Sequence, residues 1–401
     1  MEISSITVDG VEAAWTREPR HELVVTPLVP IVQDAAFTVA ASYAGVPETF
    51  GSRFRTGVVP TDDGAVIWGE PHVATAWFPG NDHPMDKATY DIALTVPDGL
   101  KAVSNGLFVG RTSVGSGRTR WSWQVTSPMA SYLAFAAIGR FQLRQYHTTG
   151  GIPVLDAFDP RVRGEARRSL RSVERLVRFL RSNVGPYPFD ALGGVVDHAR
   201  LGAALETQTR PIYDEVFFES GPNTYVVVHE LAHQWFGDSV TIDMWQHMWL
   251  NEGFATYTEW LWNQERGRAG PAAIAAYFCG RPRGSEFWDI LPGDPGVRDL
   301  FSAPVYVRGA MTLQALRATV GTNAFFEILR TWAADRKDLT GTTDQFLALA
   351  ESISGMQLDN LLDEWLFTPR RPTPCSSSRT TPGTGRLPVP ATFDGFAPDA
   401  D

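Results

Sequence analysis

The stretch Val228-His229-Glu230-Leu231-Ala232-His233-Gln234-Trp235 holds two histidines inside an apolar run with the period of a helix. A spacing of four residues places both imidazoles on one helix face, where two ring nitrogens can bind a single zinc ion. Glu230 is rotated by about 100° from His229, so its carboxylate can reach a water molecule at the metal without being a ligand. The pattern therefore predicts a helix that carries a zinc site and a general base.

A second stretch, Trp249-Leu250-Asn251-Glu252-Gly253-Phe254-Ala255, offers a third ligand. Glu252 follows His233 by nineteen residues, which leaves room for a loop and a second helix antiparallel to the first. Glu259 lies two turns further along nearly the same face, where it can hydrogen-bond a ligand histidine. The alternative is a pair of core histidines and an ordinary helix-start carboxylate. That alternative is disfavoured because a buried glutamate beside two buried histidines is costly without a metal.

Composition bounds the class of protein. The 401 residues are 43% hydrophobic and 20% charged, enough for one large or two ordinary domains with a real core. A formal net charge of -10 argues against a nucleic-acid binder. The only cysteines are Cys279 and Cys375, and the second lies in a Pro/Ser/Thr-rich segment, so we expect neither a disulfide framework nor a cysteine zinc cluster. Histidines and carboxylates must then hold any metal.

No segment is predicted to cross a membrane, because the longest apolar run, 129–139, is too short. The first six residues lack the basic-then-apolar plan of a signal peptide. The chain as written is therefore predicted to be cytoplasmic, and export stays open if translation starts further upstream.

Two regions with different periodicity are apparent. Short β-type runs between turn signals predict antiparallel strands up to about residue 149, at 22–26, 37–43, 90–96, 120–125 and 132–141. Later segments have a helical period: 170–180, 224–236, 250–264, 307–318, 323–334, 343–353 and 358–366. Beyond about residue 370 the composition predicts a disordered tail.

Four arginines lie opposite the apolar face of the helix predicted over 170–180: Arg167, Arg171, Arg175 and Arg178. Such a stripe can bind an anion or can simply be a solvated helix face. The solvated face is the favoured interpretation.

The two histidine and glutamate motifs resemble those of the gluzincin aminopeptidases, related to aminopeptidase N and to leukotriene-epoxide hydrolase. Three further stretches resemble the same family: Trp77-Phe78-Pro79-Gly80-Asn81-Asp82-His83-Pro84, Gly185-Pro186-Tyr187-Pro188-Phe189 and Tyr306-Val307-Arg308-Gly309-Ala310. The resemblance implies an α+β fold, with a saddle-like antiparallel β-sandwich followed by a thermolysin-like mixed α/β catalytic domain. The implied domains are 1–149, expected to be incomplete at its start, and 150–371, with 372–401 as the tail.

The resemblance also implies substrate-binding residues. The Gly-x-Met-Glu-Asn motif of the family appears as Ala203-Ala204-Leu205-Glu206-Thr207, so Ala203 and Ala204 would line the substrate and Glu206 would bind its free α-ammonium group. Glu70, in Gly69-Glu70-Pro71, stands where relatives place a second amine-binding carboxylate or amide, with a solvated turn residue as the less favoured alternative. Tyr306 matches the tyrosine that stabilises the oxyanion, with a buried core tyrosine as the alternative.

The implied activity is that of a zinc aminopeptidase with one Zn²⁺ per chain, held by His229, His233 and Glu252. It would hydrolyse the first bond of peptides with a free N-terminus through metal-activated water, with Glu230 as general base. Larger relatives add a long helical C-terminal domain, so the site here is expected to be more open, and a monomer is the default state. Epoxide hydrolysis at the same zinc site and an inert peptide-binding relative remain as alternatives.

Overall fold

The structure is a computed structural model that describes residues 1–18, 22–46, 48–50 and 55–375. Antiparallel strands dominate the first part of the chain, and helices around one mixed sheet dominate the rest. The predicted α+β class is therefore confirmed. Among the described residues no helix is long and apolar enough to cross a membrane.

The antiparallel strands up to residue 139 form four sheets with the orders β2-β1-β5, β3-β4, β10-β13-β8-β7-β6 and β11-β12-β9. The bounds are Glu2–Val8 (β1), Val11–Glu12 (β2), Ala14–Arg17 (β3), Leu23–Thr26 (β4), Val39–Ala44 (β5), Thr49–Phe50 (β6), Thr56–Pro60 (β7), Ala65–Trp68 (β8), Ala88–Pro97 (β9), Lys101–Ser104 (β10), Leu107–Gly115 (β11), Arg118–Met129 (β12) and Ala136–Gly139 (β13). In β12 the alternating residues Trp121, Trp123 and Val125 are buried, which fixes the face that β12 turns to the core.

A mixed sheet with the order β14-β15-β16-β18-β17 follows. Its strands are Gln142–His147 (β14), Pro153–Phe158 (β15), Leu192–Asp197 (β16), Ala204–Leu205 (β17) and Ile212–Asp214 (β18); Thr241–Ile242 (β19) pairs separately with Thr340–Gly341 (β20). β15, β16 and β18 are parallel, while β14 and β17 are antiparallel to their neighbours. The predicted division at 149/150 falls between β14 and β15, which are hydrogen-bonded to each other, and it stays a prediction.

The helices are Gly164–Leu170 (α1), Val173–Val184 (α2), Thr224–His233 (α3), Trp249–Glu265 (α4), Pro271–Phe278 (α5), Ala303–Val320 (α6), Thr322–Asp335 (α7), Thr343–Ser354 (α8) and Asp359–Leu362 (α9). Asn223 starts α3, because its side chain accepts hydrogen bonds from the backbone N–H groups of Tyr225 and Val226. α6 begins four residues before the predicted start, after Ser302 and with a proline in its first turn.

Helices α4 and α6 touch through their backbones. A Cβ atom added to Gly309 would lie 3.0 Å from the Cα atom of Gly253, and one added to Gly253 would lie 2.9 Å from the carbonyl carbon of Gly309. No larger residue fits at this crossing without a shift. The close approach brings Glu252 on α4 near Tyr306 on α6.

One buried cluster joins the strand-rich part to the mixed sheet. It contains Val59, Trp68 and Phe135 from the first part together with Val195 and Ile212 from β16 and β18. The guanidinium of the buried Arg210 adds polar links, because it donates hydrogen bonds to the backbone oxygens of Leu155, Ser104 and Gly106. The two parts therefore share a core.

Two expectations about the end of the chain are wrong. Cys279 and Cys375 form a disulfide across 96 residues of sequence, although the sequence argued against one. Residues 372–375, assigned to the disordered tail, are packed: Pro372 and Cys375 are buried, and the Thr373 N–H donates to Glu364. Composition indicated a tail, but it carried no information about the partner of Cys375. The remainder of that predicted tail, 376–401, lies outside the described residues.

Candidate active site

Two helices bring three candidate metal ligands to one point. α3 carries His229 and His233 one turn apart, and α4 carries Glu252. The Oε2 atom of Glu252 lies 3.2 Å from His229 Nε2 and 3.4 Å from His233 Nε2. All three side chains are buried.

These atoms have the arrangement that a zinc ion requires. Tetrahedral coordination with bonds of about 2.0 to 2.2 Å sets ligand atoms about 3.3 to 3.6 Å apart, which is close to the spacing found. The Nδ1 atoms face away from this point, since that of His229 is 2.6 Å from Glu259 Oε1 and that of His233 is 3.0 Å from the Phe236 carbonyl oxygen. The His233 Nε2 atom has no hydrogen-bond partner of good geometry among the described residues. The residues present therefore fit a zinc ion.

Glu230 lies beside this triad on α3. Its carboxylate, that of Glu206 and a ring nitrogen of His233 all lie within 4.8 Å of one another. Burial raises the pKa of Glu230 to about 8, against the opposing effect of His229 and His233. A divalent cation in the triad would lower that pKa again, because it stabilises the carboxylate.

Two more carboxylates approach the same space from other elements. Glu206 follows β17 and is only 2% exposed, and its Oε1 atom has no hydrogen-bond partner among the described residues. Glu70 follows β8, and its buried Oε2 atom is likewise unpartnered within the described part of the chain. Burial raises the pKa of both groups, and the charge of Glu206 raises that of Glu70 further. Such carboxylates are suited to accept a cationic group from a ligand.

Gln234 holds the Glu206 segment against the end of α3. Its Nε2 atom donates to the Glu206 carbonyl oxygen at 2.9 Å, and its Oε1 atom accepts from the Thr209 N–H at 2.7 Å. This role of Gln234 was not predicted from the sequence, where its one signal is the position directly after His233. Ala203 and Ala204 lie just before Glu206, and Ala204 pairs with Tyr213 across β17 and β18.

Tyr306 enters the site from α6. Its ring is stacked on that of His229, with 6.2 Å between centroids, and its hydroxyl is hydrogen-bonded to Glu252. Burial raises the pKa of Tyr306 well above 10, so the phenol stays protonated and can donate a hydrogen bond at neutral pH.

His247, two residues before α4, and Arg308, two residues after Tyr306, have other surroundings. His247 Nδ1 is 2.9 Å from Thr343 Oγ1 and lies in the packing between α4 and α8. The buried Arg308 donates to the backbone oxygens of Trp288 and Thr368 and so ties loops together.

Lys87, which sequence reasoning also missed, supports the loop that follows α3. Its ammonium group donates to the carbonyl oxygens of Asp238 and Ser239, both at 2.9 Å. Burial lowers the pKa of Lys87 to about 8. This contact joins the strand-rich part to the loop that follows α3.

Two family models match this chain. The model of the peptidase M1 N-terminal domain matches residues 15–133, and that of the peptidase family M1 domain matches residues 216–277. Aminopeptidase M1 of Arabidopsis thaliana is 27% identical over 75% of this chain and 36% of its own length. Endoplasmic reticulum aminopeptidase 1 of Homo sapiens is 28% identical over 77% of this chain and 35% of its own length. The chain thus spans about a third of the length of these curated relatives.

Solved structures match over more of their length. The M1 zinc metallopeptidase of Deinococcus radiodurans is 27% identical, with a TM-score of 0.83 over 94% of this chain and 86% of that one. A point mutant of the same enzyme, bound to the substrate Tyr-Ser-Ala, gives a TM-score of 0.81 at 27% identity, over 97% of this chain and 86% of that one.

Proposed function

We propose that the chain is a member of peptidase family M1 and a zinc-dependent aminopeptidase that removes the first residue from peptides with a free α-amine. One observation carries the proposal. A buried triad with the spacing of zinc ligands lies beside the buried Glu206 carboxylate, and one oxygen atom each of Glu206 and Glu70 is buried without a hydrogen-bond partner among the described residues.

His229, His233 and Glu252 would hold the zinc ion. When bound, zinc polarises the scissile carbonyl and makes a water molecule more acidic. The Glu259 carboxylate accepts the Nδ1–H of His229, and the Phe236 carbonyl accepts that of His233. These bonds select the tautomer in which each Nε2 lone pair is free for the metal.

Glu230 acts as the general base. As a carboxylate it takes a proton from the attacking water, and it then gives that proton to the nitrogen of the departing amine. A positioned base of this kind contributes about 10² to 10⁴ in rate.

Tyr306 stabilises the tetrahedral transition state. Its neutral hydroxyl turns from Glu252 to the carbonyl oxygen of the scissile bond, on which negative charge develops. The hydrogen bond is therefore stronger in the transition state than in the bound substrate, and this lowers the barrier. The stacked ring of His229 restricts where that hydroxyl can lie.

Glu206 and Glu70 together bind the N-terminus of the peptide. Their carboxylates pair with the α-ammonium group and place the first peptide bond at the triad. A blocked N-terminus would leave buried charge unpaired, at a cost of about 2 to 5 kcal/mol. The small side chains of Ala203 and Ala204 leave room for the substrate beside Glu206.

The variant Glu230→Gln tests the proposal, because it keeps the shape of the side chain and removes the base. We expect it to bind one zinc ion per chain, as measured by elemental analysis, and to lose at least about 100-fold in kcat on aminoacyl fluorogenic substrates. Substantial remaining turnover would remove Glu230 from this role. Wild-type protein that binds zinc but hydrolyses only lipid epoxides would support the epoxide hydrolase instead. Wild-type protein that neither binds zinc nor hydrolyses either substrate would support the inert peptide-binding relative.

A further inference from the structure

A cavity of about 930 Å³ lies away from the triad, between α2, the end of α4, the end of α6 and the start of α7. Four arginines line it: Arg175 and Arg178 from α2, Arg266 after α4 and Arg317 from α6. We call it the arginine groove. It takes in only the second half of the arginine stripe, since Arg167 and Arg171 are not among its lining residues.

The charge in the arginine groove is unbalanced. Within the described part of the chain none of the four guanidinium groups forms an ion pair with a carboxylate. Glu265 is the one acidic residue among the lining residues that the structure describes. Clustered like charges repel one another, and here they do so in a protein with a net charge of -10. The groove is thus a local positive site on an acidic molecule.

Neutral groups hold three of these guanidinium groups in place. Arg175 lies over the ring of the buried Trp262, 5.1 Å from its centroid. Arg317 donates to Thr322 Oγ1 at 3.2 Å and to the Tyr257 hydroxyl at 3.3 Å, and Arg266 donates to Thr224 Oγ1 at 3.3 Å. Each arginine has five N–H donors, so most of the donors stay available to a ligand.

We propose that the arginine groove binds a polyphosphate chain. Guanidinium forks match phosphate oxygens in geometry as well as charge. Four guanidinium groups around a cavity of this volume offer more binding positions than a single phosphate can fill. A chain of three phosphates carries a negative charge comparable to the positive charge of the four arginines. The polyphosphate belongs either to a nucleotide or to an inorganic chain. Because the groove shares no residue with the triad or its carboxylates, this proposal does not depend on the aminopeptidase function.

Calorimetric titration of the zinc-loaded protein tests the proposal, with inorganic tripolyphosphate and ATP as probes, both with excess Mg²⁺. We expect saturable binding that weakens as salt rises, because the attraction is electrostatic. The double variant Arg175→Gln/Arg266→Gln should weaken binding at least 10-fold. Tighter binding of ATP than of tripolyphosphate would identify the ligand as a nucleotide. Equal or weaker binding of ATP would identify it as an inorganic polyphosphate chain. Zinc content measured afterwards excludes stripping of the metal.

Arg171→Gln is the matched control, since Arg171 is an exposed member of the same stripe outside the groove. It should bind both probes as the wild type does. The proposal is overturned by the absence of saturable binding, by equal losses in the control and the double variant, or by tighter binding of a polyglutamate peptide than of tripolyphosphate. Thermal melting of each variant shows whether it is folded.

Discussion

In the proposed mechanism, the choice of substrate depends on Glu206. Its carboxylate is buried within 4.8 Å of Glu230 and His233, and its Oε1 atom has no partner among the described residues. The variant Glu206→Gln keeps the side-chain volume and removes the charge. We expect the preference for free over N-acetylated peptides to fall by at least about 30-fold, equivalent to about 2 kcal/mol.

Paired kcat/KM measurements on free and acetylated substrates check this expectation. Gln234→Leu should reduce the same preference less, because it releases the Glu206 segment without removing the carboxylate. Glu219→Gln, an exposed change further along the chain, is the control. An unchanged preference in Glu206→Gln would show that another group binds the amine.

Titration of Asp197, at the end of β16, should make the free energy of unfolding depend on pH, independently of catalysis. Its Oδ1 atom is buried without a partner in the described part of the molecule, and burial, followed by the charges of Asp159 and Asp63, raises its pKa from 3.8 to about 7. A raised carboxyl pKa means that the folded state binds the proton more tightly. The cost to folding therefore grows as pH rises from about 4 to 7 and is complete above 7.

Asp197→Asn removes this titration and keeps the shape of the side chain. The variant should be stabilised more at pH 8 than at pH 5, by about 2 kcal/mol in the free energy of unfolding. Urea denaturation at the two pH values measures it. A gain that is the same at both would contradict a raised pKa for Asp197.

At the scale of elements, the crossing of α4 and α6 sets the distance between Glu252 and Tyr306. Alanine is normally favoured over glycine inside a helix by about 1 kcal/mol. At Gly309, however, the added Cβ would lie 3.0 Å from the Cα atom of Gly253. We expect Gly309→Ala to lower the free energy of unfolding by about 1 to 3 kcal/mol and to reduce kcat.

Gly164→Ala is the matched control, because a Cβ at this helical glycine in α1 meets only the end of the Arg168 side chain, at 3.6 Å. It should be neutral or slightly stabilising. Denaturation and steady-state kinetics of both variants separate the effects. If Gly309→Ala behaved like the control, the two helices would not be held at contact.

Periodicity located these elements well where tertiary contacts agreed with it. It predicted α4 over 250–264, and the helix runs Trp249–Glu265. It ended α3 three residues late, because Trp235 and Phe236 continue the apolar pattern after the helix stops at His233. Local pattern cannot show that Gln234 turns back to bind the Glu206 carbonyl, which depends on a segment 28 residues away in sequence.

For the whole molecule, the sequence predicted which residues face the same way within one helix, but it did not predict which distant segments contact each other. The four-residue interval of His229 and His233 is fixed by helix geometry, so the sequence alone predicted that both face one point. Neither the Cys279–Cys375 bond nor the hydrogen bonds of Lys87 to the loop after α3 has a local signature, since each joins residues about 100 or more apart.

The most direct measurement combines zinc content with peptide trimming by the purified, folded protein. One zinc ion per chain should be found, and mass spectrometry should show stepwise loss of first residues from an unblocked peptide while its N-acetylated copy stays intact. A chelator should abolish trimming, and added zinc should restore it. Folded protein that takes up no zinc, or that cleaves the blocked and unblocked peptides alike, would contradict the account.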